Sequence, residues 1–354
     1  MSDYQGKLCT ELSIPGLVDC TLQSQQLEVL RSICQRCPQL LELDLSHNSS
    51  GTELEPILSS LLPVLQNLTK LSLDRHVMDD HAAAVLAKML PGLPKLCIIS
   101  LSQCSGFTTV GACHLITALS HCHLLEDISL RTLQLQKEAM ACLATGLHRM
   151  TSVKRLIKVT MASGSSDKVT LAILPMLESL EQLRGIKVIE LDELLMGEQG
   201  LLELVKHVPI WTGLRRISLC NNCITDDTGT SLVEALSHCM ALEEIILVSV
   251  GTSDLSNLAS SLGNCSYAED ISLAWNGVTD DVAVMLAEVF PLCQRLKRVD
   301  LEANSISVRG AKALAASVHC SASVQVIRLW KNPIPREEFQ RLSEKEKRLS
   351  FSSM

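Results

Sequence analysis

The nine residues Leu296-Lys297-Arg298-Val299-Asp300-Leu301-Glu302-Ala303-Asn304 decide how this chain is read. Apolar side chains stand at the first, fourth and sixth places and an asparagine at the ninth, the pattern L-x-x-L-x-L-x-x-N. The alternation through Val299 and Leu301 is that of a short strand with one face buried. The asparagine falls where the chain leaves the strand, and there its amide can satisfy backbone groups that no ladder reaches. The pattern returns 28 residues later as Val324-x-x-Ile327-x-Leu329-x-x-Asn332, and stands 28 residues earlier as Ala268-x-x-Ile271-x-Leu273-x-x-Asn276.

Working outward, clear copies begin at Leu40, Leu96 and Leu214, with cysteine as the ninth residue (Cys104) in one of them. Degenerate copies surround Leu71, Ile128, Leu156, Ile189 and Ile245, and a partial first copy surrounds Leu12. The second anchors stand at 12, 43, 71, 99, 128, 156, 189, 217, 245, 271, 299 and 327, so eight of the eleven steps are 28 or 29 residues. Self-similarity held over that length predicts an α/β leucine-rich repeat solenoid over residues 1–335, a horseshoe of about 12 repeats of about 28 residues. Parallel strands form its concave face and helices its convex face, as in the helical pattern Asp226–His238 with its stripe Leu232, Val233 and Leu236. Residues 336–354 read as a capping helix and tail, with Phe339 and Leu342 on one side of the charged stretch Arg336–Arg348.

Composition fits that architecture and excludes others. A chain of 354 residues would ordinarily make two domains. With 62 leucines and only 3% aromatic residues, the core is instead a series of small aliphatic layers. High hydrophobicity with 20% charged residues excludes disorder. No apolar run approaches the roughly 18 residues that a membrane span needs, and Met1–Thr10 has no secretory pattern. A net charge of −8 argues against direct nucleic-acid binding as the main activity.

The fifteen cysteines read as reduced, packed thiols. Cys37, Cys122, Cys239, Cys265 and Cys293 each lie three residues before a first anchor, and Cys320 four before its own. The pairs Cys34/Cys37 and Cys220/Cys223 have zinc-like spacing but lie about six repeats apart, too far to share an ion. Thr225 and Thr279 stand where helix N-caps are wanted. The pairs Asp79–Asp80, Asp226–Asp227 and Asp280–Asp281 then read as helix starts favoured by the helix dipole. No phosphate loop, nucleophile elbow or metalloprotease helix is present, so neither catalysis nor a cofactor or metal is expected.

The repeat is interrupted once. The step from Leu156 to Ile189 is about five residues longer than the norm, and the stretch 158–170, with its Gly-Ser-Ser, reads as a protruding loop. At the N-terminus the chain enters almost directly on the strand pattern Cys9-x-x-Leu12-x-Ile14. An apolar repeat edge is expected there, covered by a preceding domain of a longer protein or by self-association.

Steps of 28 and 29 with a helix in every unit resemble the ribonuclease-inhibitor class of leucine-rich repeats. That class is found in ribonuclease inhibitor, in the GTPase activator of Ran and in NOD-like receptors. Ile271-Ser272-Leu273-Ala274-Trp275-Asn276 and Leu329-Trp330-Lys331-Asn332-Pro333 are most similar to the C-terminal repeats of the CARD-class NOD-like receptors that control MHC class I genes. The resemblance implies a non-catalytic scaffold in innate immunity and MHC class I transcription, shared between cytoplasm and nucleus. Its partners would be immune signalling proteins or transcription factors. The sequence holds neither a CARD-like domain nor a nucleotide-binding module, so the resemblance implies a repeat-only isoform or a C-terminal fragment.

The concave face is where a partner is expected. Trp275 and Trp330 project from x positions of the strand face, two repeats apart, with Asp300, Glu302, Arg328 and Lys331 nearby. Exposed tryptophan beside arginine is a common composition of an interface hot spot. Charge pairs before the strands alternate in sign (Glu126-Asp127, Lys154-Arg155, Arg215-Arg216, Glu243-Glu244, Glu269-Asp270, Lys297-Arg298). They fit either rows of solvated salt bridges or a mosaic that selects a partner. Two other functions stay open: an enzyme inhibitor of the ribonuclease-inhibitor kind, suggested by acidity and thiols, and a Ran-type GTPase activator, disfavoured by the lack of an acidic tail.

Overall fold

The computed structural model describes residues 24–47, 54–130, 134–157, 160–161, 166–251 and 255–352. The partial repeat at Leu12 and the N-terminal edge lie outside them. The chain divides into two compact units, residues 1–164 with 175–186, and residues 165–174 with 187–354.

In the first unit the order is α1 (Ser24–Arg36), β1 (Glu42–Asp44), α2 (Leu54–Leu61), β2 (Lys70–Ser72), α3 (Asp80–Met89), β3 (Ile98–Ser100) and α4 (Thr109–Leu119). β4 (Asp127–Ser129), β5 (Gln134–Leu135), α5 (Lys137–Leu147), β6 (Arg155–Ile157) and β7 (Thr160–Met161) follow, and α6 (Ser166–Ser179) has residues in both units. In the second unit β8 (Val188–Glu190), α7 (Gly197–His207), β9 (Arg216–Ser218), α8 (Asp226–Leu236), β10 (Glu244–Ile246), α9 (Ser256–Ser261) and β11 (Asp270–Ser272) alternate. α10 (Asp280–Val289), β12 (Arg298–Asp300), α11 (Val308–Cys320), β13 (Val326–Arg328), α12 (Arg336–Lys345) and β14 (Leu349–Ser350) complete it.

Within each unit the repeat strands are parallel, as a strand–helix–strand crossover requires. Their central residues are in register: Leu43, Leu71, Ile99, Ile128 and Leu156 in the first unit. In the second they are Ile189, Ile217, Ile245, Ile271, Val299 and Ile327, and Leu349 of β14 then pairs with Ile327. Every second anchor from residue 43 onward is therefore the middle residue of a strand. This is a leucine-rich repeat solenoid. Each layer is filled by its anchors and its helix stripe, for example Leu296, Val299, Leu301, Ile306, Ala311, Leu314 and Val318, all buried.

Three devices recur at equivalent places in several repeats and lock neighbouring layers. The first lies in the turn after the strand. Asn304 accepts from the amides of Asn276 (2.9 Å) and Val278 (3.0 Å) and donates to the carbonyls of Leu273 and Leu301 (3.0 Å each). Asn222 and Asn276 bond in the same way. In the repeat of Leu71 this slot is filled by a histidine: His76 Nε2 donates to Leu45 O at 2.7 Å, and burial holds the ring below its ordinary pKa, against the opposing effect of that bond. The residue just before the slot has left-handed backbone, with φ between 51° and 62° at His47, Arg75, Gln103, Asn221, Ser249, Trp275, Ala303 and Lys331.

The second device is the cysteine position. Cys122, Cys239, Cys265 and Cys293 are buried and donate to carbonyls of the preceding repeat at 3.6–3.7 Å. Burial pushes Cys122, Cys239 and Cys293 up to about 11 and Cys265 to about 12. In the last copy Ser321 takes this place, donating to Ser317 O, and Cys320 is exposed.

The third device corrects the reading of the aspartate pairs. They do stand at helix starts, and Asp79 caps its own helix through Ala82 N at 2.8 Å. Thr225 caps α8 reciprocally with Thr228, whereas Thr279 holds the N-cap place without a side-chain bond. One aspartate of each pair, the first residue of its helix, also serves the helix of the next repeat. Asp280 accepts from Ser307 N (2.7 Å), Ser307 Oγ (2.5 Å) and Gly310 N (3.0 Å). Asp80 does the same for Thr108 and Gly111, and Asp226 for Asn257 and Leu258. Glycine is needed at 111 and 310 for space: a Cβ would stand 2.6 Å from the aspartate Oδ1 in both.

The interruption at 158–170 is partly outside the described residues. Of the rest, Thr160–Met161 pairs with Gln134–Leu135 as β7 and β5, and α6 already begins at Ser166, so the expected loop is shorter than the sequence suggests. At the C-terminus Leu342 and Leu349 are buried, and the Phe339 and Phe351 rings lie 5.7 Å apart. Arg348 donates two 2.8 Å bonds to Glu346, which hold that carboxyl down at about 2.

Candidate protein-binding site

The charge alternation resolves into salt-bridge rows. In the first unit Lys154 meets Glu126 at 2.5 Å and Arg155 meets Asp127 at 3.4 Å. In the second, Arg215 meets Glu243 at 3.1 Å, Lys297 meets Glu269 at 2.6 Å, and Arg298 Nε meets Asp270 at 2.8 Å. Arg216 bridges Glu190, at 3.1 Å, and Glu244. Each partner sits one repeat away because parallel register sets equivalent positions side by side. Most of these side chains are partly exposed, so each pair contributes about 0–1 kcal/mol. Their main consequence is that the rows neutralise themselves.

Asp300 and Arg328 face each other in the same register, yet among the described residues no ion pair joins them. Asp300 Oδ1 instead accepts from Glu302 N at 3.0 Å. Burial, and then the Asp300 charge, raise the Glu302 carboxyl above its ordinary pKa, with Arg328 and Lys331 acting in the opposite sense. Beside these groups Lys331 Nζ lies 4.8 Å from the ring centre of Trp275 and 4.4 Å from that of Trp330. The geometry has a simple origin. Trp275, Ala303 and Lys331 occupy the left-handed position of three successive repeats. Ala303 has no side chain beyond Cβ, so the lysine stem can cross it and reach the first indole. An ammonium over two rings contributes about 0.5–1 kcal/mol per ring at an exposed site.

All six residues singled out in the sequence thus fall in one neighbourhood of the second unit: Trp275, Trp330 and Lys331 in the stack, Asp300, Glu302 and Arg328 beside it. Trp275 is 54% exposed. The two tryptophans are not on strands, however. β11 ends at Ser272 and β13 at Arg328, so both lie in the turn that follows. Trp211, the third, is fully buried and fills the place that cysteine holds in other repeats. A cleft of about 150 Å³ runs along the strand face, lined among others by Ile246, Ser272, Asp270, Arg298, Asp300 and Arg328. Ile246 and Ser272 were missed in the sequence because neither brings a charge or a ring to its strand x position. In the first unit the matching face is hydroxylic: Ser129 Oγ, Ser102 Oγ and Ser100 Oγ form a chain ending on Asp74 Oδ1 at 2.6 Å.

Among the described residues no group of three or more His, Cys, Asp or Glu side chains is placed to hold a metal ion, and no helix is long and apolar enough to cross a membrane.

Register, turn asparagines and strand–helix alternation together define a leucine-rich repeat protein. The chain is 37% identical to protein NLRC5 of Ictalurus punctatus over 95% of its own length, and 36% and 32% identical to human and mouse NLRC5 over 47% and 43%. It is homologous to NLRC5, which is consistent with a leucine-rich repeat region of a NOD-like receptor. The chain spans 24% of the Ictalurus relative and 9% of the human and mouse ones. An internalin from Listeria monocytogenes shares the fold, with a TM-score of 0.54 at 13% identity over 94% of this chain and 96% of that one. No family model matches the sequence.

Proposed function

We propose that the chain is a non-catalytic protein-binding scaffold of the NOD-like receptor kind, acting in innate immune signalling and MHC class I gene transcription in cytoplasm and nucleus. Its partners are immune signalling proteins or transcription factors, held without direct contact to nucleic acid or membrane. The observation that carries the reading is the Trp275–Lys331–Trp330 stack beside Asp300, Glu302 and Arg328. There a large aromatic surface is left exposed next to charges outside the self-neutralising rows. Aromatic and arginine side chains of this kind dominate interface energetics. The C-terminal α12–β14 turn acts as the cap that closes the last apolar layer.

Affinity capture from interferon-treated cells, comparing the wild-type chain with a Trp275→Ala/Trp330→Ala variant, tests the reading. Recovery of immune signalling or promoter-complex proteins by the wild type and their loss with the folded variant supports it. An identical set of proteins from both, or none of those classes, overturns it.

A further inference from the structure

On the helical side of the first unit, α4 and α5 belong to successive repeats and pack closely. A Cβ at Gly146 would lie 3.5 Å from Ser120 Cβ and 3.6 Å from Ile116 Cγ2, and a turn further Arg149 reaches within 3.4 Å of His121 Nε2. Positions 3, 4 and 7 apart share a helix face. Following this face back toward the N-termini brings Cys113 on α4 opposite Cys142 on α5, where burial and then the neighbouring Cys142 thiol push the Cys113 thiol up. Neither is a packing cysteine of the recurring kind, and both are only partly buried. Cys142 also lines an open cavity of about 340 Å³ with Thr117, Ser120, Thr145, Gly146 and Arg149.

We infer that Cys113 and Cys142 are a thiol–disulfide exchange site, which takes a small anionic disulfide of the glutathione class from this cavity and closes to a disulfide tying α4 to α5. Arg149 supplies the charge that receives the carboxylates of such a reagent. Cys142 attacks first, because it faces the cavity, while burial and the neighbouring thiol push Cys113 up and keep it protonated. The Cys142 thiolate bonds to one sulfur of the reagent and expels the other as a thiolate. Cys113 then loses its proton and attacks Cys142 Sγ, expelling the second thiolate. Two protein thiols are oxidised, one reagent disulfide is reduced, and the two protein protons end on the two released thiols.

The test is incubation of the full chain with glutathione disulfide, followed by thiol counting and peptide mass mapping without reduction. The expected result is a Cys113–Cys142 linked peptide and a fall in free thiols that includes this pair. With Cys113→Ser, the product becomes a stable glutathione adduct at Cys142. With Cys142→Ser, Cys113 reacts at least tenfold more slowly. The exposed Cys223 and Cys320 report that the reagent is active. Modification of these two with no linked peptide would overturn the inference, as would wild-type reaction of Cys113 in the Cys142→Ser variant.

Discussion

Replacing Asn304 by alanine removes one link of the turn ladder and leaves its neighbours in place. The side chain serves four backbone groups of two adjacent repeats, the amides of Asn276 and Val278 and the carbonyls of Leu273 and Leu301, all at 2.9–3.0 Å. Asn304 is buried, at 7% exposure, so water does not replace it without rearrangement. A stranded buried donor costs about 1–3 kcal/mol, and a carbonyl with a second lone pair costs less. Two amides therefore set a loss of about 3 kcal/mol, with the lower end reached if a water enters the space vacated. With a urea slope of about 3 kcal/mol/M, the midpoint for the second unit falls by about 1 M. Far-UV circular dichroism in urea reads that shift, and hydrogen exchange locates it: Asn276 and Val278 amides lose protection first. The control is Ser305→Ala, an exposed neighbour, with an expected effect within about 0.5 kcal/mol. If Asn304→Ala unfolds at the same urea concentration as that control, the ladder does not hold the repeats together.

Other perturbations follow from the same layers. His76 is held below its ordinary pKa of about 6.5, so the unfolded chain binds the proton more readily. Stability that is complete above that pH is lost as pH falls below it. His76→Asn puts the usual slot residue in its place and flattens this part of a urea-midpoint-versus-pH curve. Gly310→Ala raises helix propensity by about 1 kcal/mol but sets a Cβ 2.6 Å from Asp280 Oδ1 and 2.8 Å from Ile306 Cγ2. The net result expected in thermal denaturation is destabilisation by about 1–2 kcal/mol. Trp211→Ala costs about 3–5 kcal/mol because the ring is fully buried. Trp275→Ala costs less than about 1 kcal/mol, the value of its contact with Lys331.

The strands were legible to the residue because a leucine pattern repeated along the chain is a strong signal even where single copies decay. Ile128 and Ile245 needed only their spacing. The turns were legible wherever asparagine was present, and failed at His76, because a histidine resembles the slot residue only in donating to the same carbonyl. The aspartate pairs were placed correctly, but their chemistry was not. The amides that donate to Asp280 lie 27 and 30 residues on, and no local pattern announces a bond that the stacking creates. Lys331 was a candidate by adjacency alone. Its place between two indoles depends on Ala303, a residue informative only for what it lacks. The Cys113–Cys142 contact was equally hidden, since neither thiol falls at the recurring cysteine position.

The most direct test of the central claim, that partners dock on the Trp275–Lys331–Trp330 surface, is site-specific photocrosslinking in cells. A benzophenone side chain is placed at position 275 and, as the comparison, at the exposed Glu288 on the helix α10. Covalent adducts to immune signalling or promoter-complex proteins are expected from position 275 and none from position 288. Adducts to those proteins from position 288 alone, or equally from both, would contradict it.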